Sequence, residues 1–391
     1  MTTEHRLGII YRELANELNI SDTLYERALS AYDALSDHIK AHNDSWDVEV
    51  FPQGSFELGT VIRPVNDEDE YDVDMVVLIK VPVFTDPKEL RDVIKGFLEQ
   101  HGRYEGNIEE KKQCLRIVYS ESAQFHMDVV CAKPIIDDNI IDVAKKQECS
   151  ATYMYSESNP KGYINWFKET MNYSRLLLEA KQKRDGVFAN TEVQELSLSK
   201  LRTPLQQAVQ ILKRHRDIYF KDRLDDRPSS IIITTLCAKS YEHDKMYDWS
   251  HDNVYTVIKR MLELFPCFIE TDDNGDYVLK NPSLESENFL YKWKSNKDLE
   301  RNFREWIRKA TVDIVENPER FLPRDPEKAG ELLRESFGSY AMGKALKRFG
   351  EHIGNINTKG EILIDKHTRD ISSNTSATST VHPKKNTFYG G

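Results

Sequence analysis

Three aspartates in this 391-residue chain sit where packed strands should not carry acids. Asp72 and Asp74 flank Val73 in the run Tyr71-Asp-Val-Asp-Met-Val-Val-Leu-Ile-Lys-Val81. In a strand, residues i and i+2 share a face, so both carboxylates point one way while Val73 and Met75 point to a core. Asp128 interrupts a second apolar strand, Phe125-His126-Met127-Asp128-Val129-Val130. Ionised carboxylates set side by side repel, and burying them unpaired costs several kcal/mol, so a positive charge must sit between them. Three carboxylates on two strands suit Mg²⁺, a hard cation that takes one or two carboxylates together with substrate phosphates. Two such ions about 3.5–4 Å apart can activate a hydroxyl and stabilise a leaving pyrophosphate. Gly54-Ser55 adds a glycine at a strand end, where the backbone can approach a ligand and turn N–H groups toward phosphate oxygens.

These groups need a scaffold, and the hydrophobic periodicity outlines one. Leu7, Ile10, Tyr11, Leu14 and Leu18 predict a helix over 5–19, and a second helix capped by Ser21 or Thr23 follows. Around Trp46 the period shifts to two, predicting a strand that ends at Gln53-Gly54-Ser55 and a short helical stretch through Leu58. Strands over 71–81, 114–119 and 125–132, with a helix over 88–100, make the first third a mixed α/β unit. From Gly162 onward the pattern is almost wholly helical, over 162–180, 204–220, 229–241, 253–265, 297–315 and 326–349. One hairpin is expected around Asn274-Gly275. The fold class is therefore α+β: a lobe over 1–160 with a mixed sheet, flanking helices and the N-terminal helices, then a mainly helical lobe over 161–365. Residues 181–200 read as an exposed connection, and 366–391, rich in Ser and Thr, as a disordered tail.

Composition narrows the chemistry. With 39% hydrophobic residues the chain packs, and its 54 basic and 65 acidic residues leave a net charge of −11. A protein that grips long nucleic acid carries a basic surplus, so any anion site here is local and small nucleotides are favoured. Five dispersed cysteines without a C-x-x-C pair exclude a zinc ribbon and point to reduced, buried thiols. No run approaches the ~18 apolar residues of a membrane span, so a cytoplasmic protein is expected. Two partial motifs fail. Gly338 to Ala345 lacks the Ser/Thr of a P-loop, and Glu270 to Asn281 lacks the end residues of a calcium loop.

Gly54-Ser55, an Asp-x-Asp strand and a lone Asp in a later strand together resemble the polymerase-beta-like nucleotidyltransferases. The helical half narrows the resemblance. Thr203-Pro204 through Lys213-Arg214, followed by Pro228-Ser229-Ser230, is similar to the paired core helices of the oligoadenylate synthase and cGAS branch. The segment from Asn281-Pro282 to Trp293 has a counterpart there too. Over residues ~20–350 the chain resembles the bacterial cGAS/DncV-like enzymes of anti-phage signalling. That resemblance implies a template-independent synthesis of a cyclic di- or trinucleotide from NTPs, ATP among them, with a separate effector receiving the product. It implies two ions, Mg²⁺ or Mn²⁺, on Asp72, Asp74 and Asp128, and a donor triphosphate held by Gln53, Gly54 and Ser55. Lys213 would reach the phosphates from the helical lobe, with Ser229 or Ser230 beside it. Transfer of a nucleotide to an RNA or protein acceptor is the alternative within the same chemistry. Some relatives in anti-phage operons resemble this chain in a C-terminal glycine that a ligase related to ubiquitin-activating enzymes joins to targets, and that resemblance would give Gly391 a role in conjugation.

Overall fold

Strand alternation becomes a sheet with two unlike faces. The computed structural model describes residues 1–41, 46–66, 70–81, 85–100, 102, 104–119, 124–135, 139–147, 152–171, 202–243, 253–358, 363–365, 371–372 and 380–381. A seven-stranded sheet comprises β1 (Asp47–Gln53), β2 (Tyr71–Lys80), β3 (Ile108–Glu110), β4 (Leu115–Val118), β5 (Phe125–Pro134), β6 (Ile141–Lys146) and β7 (Tyr153–Ser158). The order is β1-β2-β5-β4-β3, with β6 joined to the C-terminal end of β5 and β7 to β6. Only the β2–β5 pair is parallel among these ladders. The sequence reading found β1, β2, β4 and β5 but not β3, β6 or β7. Those three are short or polar, with no apolar alternation long enough to declare them.

On one face, Val73, Met75, Val77 and Ile79 of β2 pack with Met127, Val129 and Cys131 of β5 beneath Leu35 and Ile39 of the helix Asp22–Ala41 and Leu90 and Ile94 of Pro87–Gln100. Each such side chain gains roughly 1.5–3 kcal/mol on burial. Val76, Leu78 and Ala132 form only a small apolar patch on the opposite face, and the rest of that face belongs to the acids.

The helical lobe is built around Pro204–Tyr219, which opens with a Thr203–Gln206 capping box and Pro204 in its first turn. Ser230–His243, Val254–Leu264, Lys297–Thr311 and Pro326–Phe337 contribute to one core with it. The first helix, Thr3–Leu18, joins this core through Leu7, Ile10, Tyr11 and Leu14. That corrects the lobe boundaries read from the sequence, which assigned both N-terminal helices to 1–160. An amphipathic stripe shows that a helix packs but not against what. The second helix, with Ser21 Oγ accepting from the Leu24 N–H, does belong with the sheet.

The helix predicted over 326–349 is two helices, Pro326–Phe337 and Ser339–Thr358, broken at Gly338 with φ 89°. A side chain there would be strained, so the apolar periodicity runs across a real break. The predicted hairpin exists, Glu270–Thr271 pairing Tyr277–Val278 with Gly275 at φ 77° in the turn. The tail expected to be disordered over 366–391 contributes Ile371–Ser372 and Thr380–Val381 to a small antiparallel sheet on Leu363–Asp365. β-branched residues at these spots favour strands locally. Residues 181–200 and Gly391 lie outside the described residues. The described cysteines are free. Cys114, Cys131 and Cys237 are buried as expected, whereas Cys267 is exposed, contrary to that expectation. Among the described residues no helix is long and apolar enough to cross a membrane.

Candidate active site

Parallel pairing of β2 with β5 places Asp74 opposite Asp128 and Asp72 opposite His126. All four share the face that Val73, Met75 and Met127 leave, because those side chains are committed to the core. On the other side of β2, Gln53 pairs with Asp74. The chain then turns at Gly54 (φ 68°) into the single turn Gly54–Glu57. A Cβ on Gly54 would lie 2.0 Å from Asp74 Oδ2, so glycine is required both for the left-handed backbone and for the approach of that carboxylate. No side chain caps this turn. Among the described residues Ser55 Oγ has no partner, while its carbonyl accepts from the Thr60 N–H. The turn therefore offers N–H groups and a hydroxyl beside the carboxylates, a fit for an anion held near cations.

Electrostatics separate the three aspartates. Desolvation, and then the charges of Asp72 and Asp128, push Asp74 up to about 7. Burial acts to raise Asp72 as well, but a His126 hydrogen bond and the charges of His126, Arg116 and Lys213 outweigh it and hold Asp72 below the ordinary value. Asp128 is 8% exposed. Both its oxygens accept from Arg116 of β4, Nε to Oδ1 and Nη2 to Oδ2, each at 2.8 Å. Nη2 also reaches Asp72 Oδ1 at 3.2 Å. His126 bridges Glu70 (Nδ1 to Oε2, 3.0 Å) and the same Asp72 oxygen through Nε2. These two carboxylates raise the His126 pKa against the opposing effect of its partial burial.

The donor set fits a divalent cation. Ligand atoms of Asp72, His126 and Asp128 lie within 4.8 Å of one another. Asp74 is not one of those three, but it stands opposite Asp128 on the same face.

The sequence reading did not name Arg116, His126 or Glu70 as site residues. Period two carried a signal for two of them. Arg116 interrupts Leu115 and Ile117, and His126 stands two residues before Asp128.

Lys213 sits in the interior of its helix rather than at an end. It lies within Pro204–Tyr219, is 5% exposed, and donates from Nζ to the Thr60 carbonyl at 3.0 Å. Burial first, then the charge of Arg216, lowers its pKa to about 8. A solvated helix face is therefore not its setting, and its charge acts on both Asp72 and Asp74. The same helix grips the loop after Ser55 at four further carbonyls. Gln206 donates to Leu58, Gln210 to Val61, and Arg214 to both Arg63 and Pro64. Ser229 is exposed and precedes the helix Ser230–His243. Ser230 Oγ is a partner of Arg216 Nη1 at 3.0 Å, and Arg216 also donates to the Pro228 carbonyl. Ser230 is thus tied to the neighbour of Lys213.

A family model described as "Second Messenger Oligonucleotide or Dinucleotide Synthetase domain" matches residues 2–171. Over 303 residues the chain is 31% identical to a c-di-GMP synthase of Roseivirga ehrenbergii, covering 75% of each protein. It is 21% identical over 373 residues to the cyclic dinucleotide synthase CdnG of Bradyrhizobium diazoefficiens, covering 89% of this chain and 84% of the other. The solved structure of the B. diazoefficiens CD-NTase CdnG in complex with GTP is similar in fold, with a TM-score of 0.67 at 18% identity. That match covers 88% of this chain and 99% of that one.

Proposed function

The chain belongs to the family of second messenger oligonucleotide or dinucleotide synthetases, the bacterial cGAS/DncV-like nucleotidyltransferases, and on that premise we propose that it joins two nucleoside triphosphates into a cyclic dinucleotide containing guanine. One observation carries the reading: Asp72, Asp74 and Asp128 converge on one sheet face against the Gly54 turn. Asp72, Asp74 and Asp128 would hold two divalent ions, Mg²⁺ or Mn²⁺, which when bound supply charge to the attacking hydroxyl and the leaving pyrophosphate. The remaining work falls to the chain's own groups. Gln53, Gly54 and Ser55 cradle the donor triphosphate, and Lys213 exchanges the Thr60 carbonyl for a phosphate oxygen. Ser229 and Ser230 act beside it, Ser230 through Arg216. In each of two rounds a hydroxyl oxygen forms a bond to an α-phosphorus while the α–β phosphoanhydride breaks, so two pyrophosphates leave per ring.

Guanine is favoured because the 31% identical relative is a c-di-GMP synthase and because GTP occupies the solved CdnG. ATP, expected from the sequence, is the second substrate to be tried. In the cell the enzyme would act in the cytoplasm in anti-phage defence, its product passing to an effector. Incubating the purified chain with the four NTPs and Mg²⁺ and identifying products by mass spectrometry tests the central reading. A cyclic product with guanine supports it. Linear chains that keep lengthening, or label on RNA or protein, would replace it with the acceptor-modifying alternative, and ATP-only rings would overturn the choice of base.

A further inference from the structure

The charge balance of the site depends on a residue that the proposed chemistry leaves unused. Arg116 stands between Leu115 and Ile117, both buried in the core beneath the sheet, so alternation directs it to the site face. Its backbone is paired with that of Asp128. From there its guanidinium takes both oxygens of Asp128 and one of Asp72, joining acids that belong to two different strands. A guanidinium keeps its proton throughout the accessible pH range, so it can leave those oxygens only by moving. Its side chain is 26% exposed, which leaves it a route.

We propose that Arg116 is a placeholder for the divalent cations: it neutralises Asp72 and Asp128 in the free enzyme and yields them when metal and nucleotide arrive. The inference rests on the assignment of Asp72, Asp74 and Asp128 as the metal ligands. In the free enzyme Asp72 Oδ1 is shared by Arg116 and His126, while Asp74 lies against Gly54. A cation held by Asp72 would compete with the guanidinium for that oxygen. Like charge disfavours it there, and a negative triphosphate that arrives with the cation offsets that cost. Metal alone therefore binds weakly, and metal with nucleotide binds well. Arg116 acts on turnover only through the aspartates, as a positioning residue.

Mn²⁺ binding to the full-length protein without nucleotide, measured by calorimetry, tests this. The Asp128→Asn variant sets the background. Arg116→Met should bind Mn²⁺ about tenfold more tightly than wild type, because a positive charge beside the cation is gone, with Arg116→Lys between the two. Unchanged or weaker binding in a normally folded Arg116→Met would overturn the proposal, since a guanidinium that merely orients Asp128 for metal predicts weakening. A second readout needs no loss of the arginine. The Arg116 Nε–H in the wild-type spectrum, assigned by its loss in Arg116→Lys, should be protected from solvent exchange without metal. It should lose that protection when Mg²⁺ and GTP are added, and protection retained at saturation would also overturn the idea. If neither wild type nor Arg116→Met bound Mn²⁺ above the Asp128→Asn background, the metal assignment itself would fall, a result distinct from the other two.

Discussion

The two faces of the β2–β5 pair follow opposite rules. One carries Val73, Met75, Val77, Met127 and Val129, mutually supportive and buried under two helices. The other carries Asp72, Asp74, His126 and Asp128, whose charges conflict until something positive is added. The difference teaches where a strained site can be kept. Backbone pairing shared with a well-packed face fixes carboxylates that would otherwise move apart, so stability on one side maintains tension on the other. Each face should then fail in its own way.

The largest separation comes from the acids. Changing Asp72 and Asp74 together to Asn should lower turnover by roughly three orders of magnitude or more while the circular dichroism spectrum stays native. Retained activity in that double variant would break the assignment of the polar face. Asp128→Asn should behave alike, with Asp72 then left as the charged partner of Arg116.

On the apolar face the expected loss is of stability. Met75 is fully buried, and Met75→Ala should cost about 2–5 kcal/mol in chemical denaturation. Activity per folded molecule should survive, since the alternating register of Asp72 and Asp74 is set by the backbone. A variant that is stable but inactive would show that the faces are not separable in this way.

Lys213 sharpens the comparison from the helical lobe. Lys213→Ala should weaken the use of NTP by about 1–3 kcal/mol in kcat/KM if the ammonium meets phosphate. Unchanged kinetics with reduced stability would return Lys213 to its present bond with Thr60 alone.

The legibility of these features follows from periodicity. β2 and β5 were readable because apolar residues dominate both ten-residue strands, and an acid in such a run stands out. Gly54 was readable as a turn, but its second constraint, the Asp74 carboxylate at its Cα, exists only once β1 and β2 pair. Glu70 was not readable as a site residue, and neither were the partners of Arg116, because cross-strand neighbours depend on strand order. The packing of Thr3–Leu18 into the helical lobe is a tertiary choice of the same kind. Gly338 shows the converse, a helical pattern kept through a break that the backbone makes.

The smallest expected effect concerns Asp74 and has a defined sign. In the folded, metal-free protein its carboxyl holds a proton up to about pH 7, whereas an unfolded chain releases it near the ordinary 3.8. Between those values the folded state binds more protons, so this group's contribution to stability is full below about 3.8 and is lost as pH rises through 7. Asp74→Asn removes the titration. The variant should therefore gain stability relative to wild type as pH is raised from 5 to 8 in chelator, on the order of 1 kcal/mol once solvent screening of the half-buried group is allowed for. The gain should shrink when Mg²⁺ is added to wild type, because a cation favours the ionised carboxylate there and the amide holds it poorly. Such a variant would be more stable and inactive, as expected where repulsion is maintained for function. Denaturation curves of the two proteins at pH 5, 6, 7 and 8, with and without Mg²⁺, measure it directly. A constant difference across that range would mean that Asp74 is ionised throughout and that Arg116, His126 and Lys213 already balance the site.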